Sequence, residues 1–111
     1  MHMKKYIFPR TEDGVRVCDP ASGADVVINH ASRTKVRDNE KMHCHRKGKE
    51  YYIVTRGCAE IEVNEKPVLV KSGEVLMVEA DEWHKISRII GETDYILIKT
   101  EPDLKDKIVR E

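Results

Sequence analysis

The chain has 111 residues, of which 40% are hydrophobic and 36% charged, so it can form one compact core beneath a densely ionic surface but not two. Lysine plus arginine count 20 and aspartate plus glutamate count 20, which leaves no net field to attract nucleic acid or an anionic membrane. No apolar run approaches the ~20 residues of a membrane helix, and residues 1–14 lack the apolar core of a signal peptide.

These properties predict a cytoplasmic protein whose partner is a small molecule. We expect a single domain over residues 1–111, with its core at about 14–100 and a short tail at 101–111. The three cysteines form no CxxC pair, which indicates free thiols. Glutamine is absent while glutamate and lysine are abundant, a balance typical of proteins from thermophiles.

Short runs rich in valine and isoleucine follow one another along the chain, with glycines between them. They predict strands at 15–18, 25–30, 34–37, 50–55, 59–63, 67–70, 74–79, 84–90 and 94–99. The clearest hairpin joins Ile61 and Val63 to Val68 through a turn at Asn64 and Glu65. The tail after position 102 is expected to form a short helix, to fray, or to pack on a second subunit. The pattern predicts an all-β fold, either a sandwich or a barrel.

Three histidines and one glutamate are spaced as metal ligands. Residues i and i+2 of a strand share a face, so His43 and His45 point the same way. A turn after them returns Glu50 on the next strand, and His84 arrives from a distant strand. Imidazoles with a carboxylate suit manganese, iron, nickel, cobalt or zinc, and this ligand set leaves coordination positions open for chemistry.

The spacing His43-x-His45-x4-Glu50-x6-Gly57 resembles the first conserved motif of the cupin superfamily, and Gly73 followed after ten residues by His84 is similar to the second. The resemblance covers residues 37–88. It implies a cupin double-stranded β-helix, a jelly-roll-like barrel, with one divalent metal ion at its centre and frequent homodimers. The chain departs from the family pattern where Arg37 and Asp81 replace glycines, Glu79 replaces a proline and Arg88 an asparagine.

Three further residues are candidates for substrate binding. Arg37 has the strand parity of His43, Arg88 that of His84, and Tyr52 that of Glu50, so each could face the interior, where two guanidinium groups would hold a carboxylate or phosphate. The alternatives, which we favour slightly, are solvated arginines at strand ends and a tyrosine that packs in the core. A bulge would reset the parity.

Three functions are compatible with this site. With iron or manganese it would serve a dioxygenase, and as a Lewis acid it would serve a sugar isomerase or epimerase. The isomerase needs a proton shuttle, for which Glu79, Asp81 and Tyr52 are candidates, and since the sequence singles out none of them we favour oxygen chemistry. A barrel without an added lid or domain would also suit a non-enzymatic sensor.

Overall fold

The computed structural model describes residues 3, 5–7, 15–18 and 23–110, and this part of the chain is almost entirely β-sheet. It contains eight strands: β1 (Val15–Cys18), β2 (Val27–Arg33), β3 (His43–His45), β4 (Glu50–Val63), β5 (Lys66–Lys71), β6 (Val75–Val78), β7 (His84–Lys99) and β8 (Lys107–Val109). The all-β prediction is confirmed. None of the helical structure in these residues is long and apolar enough to cross a membrane. Most of residues 1–14, on which the signal-peptide prediction rests, lie outside the described residues.

The strands form two layers because β4 and β7 each run through both. The first layer has the order β1, β2, the second half of β7, the first half of β4, and β6. The second layer has the order β8, β3, the first half of β7, the second half of β4, and β5. All neighbours are antiparallel. The core between the layers joins Tyr52, Val54 and Tyr95 of the first to Ile61 and Ile86 of the second.

The structure joins four predicted strands into two. β4 contains those at 50–55 and 59–63, and β7 contains those at 84–90 and 94–99. Gly57 and Gly91 take left-handed φ angles of 82° and 68° without reversing the chain, and the pairing of β4 with β7 shifts register on both sides of Arg56. Such irregularities bend a strand, so the same strand passes from one layer to the other.

The predicted hairpin between β4 and β5 is confirmed. Ile61 pairs with Val68, and the chain reverses through Asn64 and Glu65. Both turn residues have positive φ angles, of 50° and 69°, as a tight two-residue hairpin loop requires.

Two predictions from the sequence need correction. Residues 34–37 are not a strand, because β2 ends at Arg33, which pairs with Thr93 of β7. Beyond this pair β7 bends into the second layer, so residues 34–37 have no neighbouring strand to pair with among the described residues. The tail forms only one turn of 3-10 helix, Leu104–Asp106, and then β8, which pairs with β3 through Cys44 and Ile108. The tail therefore packs on its own chain as a strand, beside the two histidines of β3.

Candidate metal centre

Three histidines and one glutamate from three strands meet in the interior. His43 and His45 lie on β3, Glu50 begins β4, and His84 begins β7. All four side chains are buried, and their candidate ligand atoms lie within 4.8 Å of one another. His43 and His84 are direct partners in the ladder between β3 and β7, with ring centroids 4.3 Å apart. The structure thus brings together the four residues that the sequence singled out.

Backbone carbonyl groups orient two of the imidazole rings. His43 Nδ1 lies 2.8 Å from the carbonyl oxygen of Lys41, and His84 Nδ1 lies 2.9 Å from that of Glu82. Because a carbonyl oxygen only accepts, each Nδ1 carries the hydrogen and donates it. In the neutral ring, Nε2 then presents a lone pair to the centre of the cluster. This is the tautomer of a histidine that binds a metal through Nε2.

The carboxylate of Glu50 is the point on which the three Nε2 atoms converge. Its Oε1 lies 3.1 Å from Nε2 of His84 and 3.6 Å from Nε2 of His43, and it also contacts Nε2 of His45. Burial opposes the ionisation of Glu50, but the three imidazoles around it outweigh burial and hold the pKa of this carboxyl well below its usual range. The cluster therefore contains a buried anion that needs positive charge beside it, which a metal ion would supply.

The donor set fits a divalent metal ion. Nε2 of His45 and Oε2 of Glu50 are buried, and neither makes a hydrogen bond with the described residues. Unsatisfied buried polar atoms are costly and call for a ligand. Three imidazole nitrogens and a carboxylate oxygen suit manganese, iron, cobalt, nickel and zinc, and for an ion that takes five or six ligands they leave positions open.

The turn before His84 is built from residues that replace the glycine and proline of the family pattern. Asp81 takes a left-handed φ of 66°, which aspartate tolerates better than most residues, and its N–H donates to the carbonyl oxygen of His45 at 2.7 Å. The carboxylate of Glu82 accepts the N–H of Glu79 at 2.8 Å. These bonds fix the turn whose Glu82 carbonyl orients His84.

The tail closes the loop that joins β3 to β4. Asp106, which is buried, accepts the N–H of Lys47 at 2.9 Å and that of Gly48 at 3.0 Å. Its Oδ2 lies 3.9 Å from Nδ1 of His45, and its own carbonyl oxygen accepts the N–H of Arg46 at 3.1 Å. A Cβ on Gly48 would lie 2.7 Å from the Cβ of Glu101, so only glycine fits against the tail here. A residue outside both cupin motifs thus supports His45.

A cavity of about 330 Å³ adjoins the cluster, and His43 lies in its wall. This volume is at the small end of the range for ligand pockets. Its charged lining among the described residues consists of four basic side chains and two carboxylates, namely Arg33, Arg37, Lys99, Lys107, Glu40 and Glu50.

The three predicted substrate residues have different positions. Arg37 is exposed and Tyr52 is buried, and both line the cavity. Burial, and after it the charge of Glu50, raises the pKa of Tyr52 well above its usual range, so its phenol is neutral.

The prediction that Arg88 faces the interior is wrong. Its side chain is exposed and donates to Oε2 of Glu60 at 3.3 Å. Glu60 pairs with Arg88 while Ile61 pairs with Ile86, so Ser87 is an extra residue in the ladder. This bulge resets the alternation after His84.

Sequence reasoning missed three residues of this region: Arg33, Glu40 and Asp106. The signal for Arg33 was present, because Asn29, Ala31 and Arg33 alternate onto one face of β2, but the predicted strand ended too early. Glu40 lies in a loop, where its Oε2 accepts the N–H of Ile86 at 3.0 Å. Neither it nor Asp106 belongs to a local pattern that predicts its position.

Comparisons with known proteins identify the family. The family model described as "Cupin domain" matches residues 33–98, more than half of the chain. No curated protein sequence matches the chain. Among solved structures, an RmlC-like cupin with a double-stranded β-helix from Methanocaldococcus jannaschii is 19% identical, with a TM-score of 0.69 over 95% of this chain and 96% of that one.

Two further solved structures have the same fold. A cupin from Bacteroides fragilis is 15% identical, with a TM-score of 0.71 over 92% of this chain and 89% of that one. Salicylate 1,2-dioxygenase from Pseudoaminobacter salicylatoxidans is 12% identical, with a TM-score of 0.68 over 87% of this chain but only 28% of that longer one. The predicted double-stranded β-helix is confirmed, and the chain belongs to the cupin domain family.

Proposed function

We propose that this cupin is a metal-dependent enzyme in which His43, His45, Glu50 and His84 hold one divalent ion. The observation that carries the proposal is the convergence of four buried ligand atoms within 4.8 Å, beside a cavity that reaches the cluster. The backbone bonds to Nδ1 of His43 and His84 support it, because they select the tautomer that leaves Nε2 free to bind a metal.

The reaction we put first is dioxygenase-like oxidation of a small molecule. A bound iron or manganese ion with open positions supplies a site for dioxygen. The chain's own part is to enclose the substrate between the neutral Tyr52 and the aliphatic wall of the cavity, and to keep Glu50 and the imidazoles in place. The structural likeness to salicylate 1,2-dioxygenase supports this reaction as a proposal only, because that likeness is one of fold.

A sugar isomerase or epimerase is the second candidate, and Glu40 favours it. The sequence singled out no proton shuttle, and of its three candidates Glu79 and Asp81 are exposed and do not line the cavity. Glu40 does line it, and the Ile86 N–H bound to Oε2 anchors its carboxylate there. A carboxylate in a cavity beside a Lewis acid is suited to move a proton next to a carbonyl group.

The first test is the metal content of untagged protein purified without chelator, measured by elemental mass spectrometry. We expect about one divalent ion per chain in wild type, and loss of the ion in His45→Ala and His84→Ala. His30→Ala is the matched control, since His30 lies on β2 outside the cluster. A wild type that binds no ion after reconstitution with the five candidate metals would refute the ligand assignment.

A second assay separates the reactions. Oxygen uptake by the iron or manganese form, unaffected by Glu40→Gln, supports the dioxygenase. Solvent hydrogen exchange into sugar substrates that Glu40→Gln abolishes supports the isomerase. Tight ligand binding without turnover in either assay supports a sensor.

We also propose a homodimer, formed through the outer face of the first layer. This face carries two cross-strand rows of apolar side chains from β6, β4 and β7, namely Met77, Tyr51 and Ile98 in one row and Val75, Ile53 and Ile96 in the other. Val75 is 57% exposed and Met77 is 42% exposed, and so contiguous an apolar surface suits a subunit interface.

Light scattering at micromolar concentration should give the mass of a dimer, and Val75→Lys should give a monomer. Leu69→Lys is the matched control, because Leu69 is 48% exposed on β5 in the other layer. A monomeric wild type would refute this interface. The cytoplasmic location and thermophilic origin stay predictions from the sequence.

A further inference from the structure

Arg33 and Tyr95 form a preorganised pair in the cavity wall. Ala31 pairs with Tyr95 across β2 and β7, and Arg33 is two residues further along the same face of β2. Nε of Arg33 donates to the hydroxyl oxygen of Tyr95 at 3.1 Å. This bond uses one of the five donors of the guanidinium group, and the Tyr95 hydroxyl keeps its own hydrogen to donate. Burial raises the pKa of Tyr95, so that hydrogen stays on the phenol.

The charges around the cavity favour an anionic ligand. Among the residues that the structure describes, Arg37, Lys99 and Lys107 line it together with Arg33, against two carboxylates. The carboxylate of Glu50 contacts the three imidazoles, and that of Glu40 accepts the backbone N–H of Ile86. A metal ion would add further positive charge. Basic charge is therefore in excess, and arginine in such a setting binds carboxylate or phosphate through two parallel hydrogen bonds.

The rest of the wall indicates the body of the ligand. Ala31, Ile86 and Leu97 provide aliphatic surface in a cavity of about 330 Å³. Asn29, on the same face of β2 as Arg33, has a buried side-chain oxygen that makes no hydrogen bond with the described residues. A small and largely apolar body with one polar substituent matches this wall.

We infer that the cavity binds a small organic molecule with an apolar body and one oxyanion, a carboxylate or a phosphate ester, and that the Arg33–Tyr95 pair anchors the oxyanion. This deepens the proposed function, since the anchored molecule is the substrate of the metal site. The anchor itself uses none of the four proposed metal ligands. Its binding test can therefore be separated from the test for metal.

The experiment measures binding of benzoate, phenyl phosphate and neutral benzamide by titration calorimetry at low salt, to both the metal-free and the zinc-loaded protein. Wild type should bind at least one anion more than tenfold tighter than benzamide, and the better of the two anions identifies the headgroup. Arg33→Gln should lower the affinity for that anion by at least tenfold, because it removes a charge-assisted hydrogen-bonding group. Arg88→Gln, an exposed arginine outside the cavity, is the matched control and should change affinity less than twofold.

Tyr95→Phe is the second variant, because it keeps the ring in the core and removes only the hydroxyl that holds Arg33. We expect it to lower the affinity for the anion by several-fold. Circular dichroism and melting curves should show that the variant is folded. The inference is overturned if no anion binds wild type at millimolar concentration, if benzamide binds as tightly, or if Arg33→Gln behaves like Arg88→Gln. Elemental analysis of the same samples measures their metal content, so a failure of the proposed metal site can be distinguished from a failure of the proposed anion site.

Discussion

Substitution of Asp106 tests how far the tail controls the metal site. Asp106→Ala removes the acceptor of two backbone N–H bonds, from Lys47 and Gly48, of which the second is buried. An unsatisfied buried donor costs about 1–3 kcal/mol, so we expect a loss of roughly 2–4 kcal/mol in the free energy of unfolding. Asp106→Asn keeps one acceptor oxygen and should lose about half of that amount.

The effect on metal binding separates a supporting role from a purely structural one. The carboxylate of Asp106 lies 3.9 Å from Nδ1 of His45 and also fixes the loop that follows it. Loss of a group that orients a ligand typically lowers metal affinity by about 10–100-fold. Chelator competition with zinc should therefore give that loss for Asp106→Asn while circular dichroism shows a folded protein.

The matched control is Asp103→Asn. Asp103 is an exposed carboxylate of the same tail that accepts the N–H of Lys105, and asparagine can replace it at this position. Its variant should keep the zinc affinity of wild type. If the zinc affinity of Asp106→Asn were within threefold of that of Asp103→Asn, the tail would not support His45 in the way the geometry indicates.

Further predictions concern stability. Gly57→Ala should lower the free energy of unfolding in urea by at least about 3 kcal/mol, because the backbone there is left-handed and the new Cβ would lie 2.3 Å from a carbonyl oxygen. Gly73→Ala should lower it by only about 1–2 kcal/mol, because Gly73 has a φ of 87° but open space around it. Zinc at a free concentration 100-fold above its Kd should stabilise the protein by about 2.7 kcal/mol, raising the Tm by roughly 10 °C, and chelation should reverse this. Hydrogen bonds from Ser32, and after them the hydrogen bond and charge of Arg56, outweigh burial and lower the pKa of Asp94. The contribution of Asp94 to stability is therefore present above the unfolded pKa near 3.8 and is lost as the pH falls through the folded pKa. The Asp94→Asn variant should therefore have a lower Tm than wild type at pH 7, and the difference should shrink as the pH falls below 3.8.

Most of the candidate metal cluster could be predicted from the sequence, because the constraints on three of its four residues are local. His43 and His45 share a strand face by simple alternation, and the spacing to Glu50 allows only a short turn. The hairpin turn at Asn64 and Glu65 is likewise encoded by adjacent residues. His84 is the exception, since it lies on a distant strand and no local spacing fixes its position relative to the other three.

The predictions that failed depend on long-range pairing. Arg88 points outward because the register between β7 and β4 slips at Ser87, and nothing in the local sequence reports that slip. Gly57 and Gly91 have the composition of turns, yet they bend continuous strands, because β4 and β7 keep pairing with each other on both sides. Strand β8, at Lys107–Val109, has only three residues and exists because β3 offers it an edge.

The two bent strands also explain why the metal cluster matters to the whole fold. Glu50 lies in the first layer, where it pairs with Lys99 and Val78, whereas the three histidines lie in the second layer, where His84 pairs with His43. An ion held by all four would therefore join the two layers at the end of the barrel opposite the bends of β4 and β7. Without it, the layers would meet there through the buried carboxylate of Glu50 and the three imidazoles, with no ion to compensate the buried negative charge. Metal binding and the closure of the barrel are then coupled, so the loss of stability on chelation should be largest at this end, and hydrogen exchange of the β3 amides should increase more than that of β5.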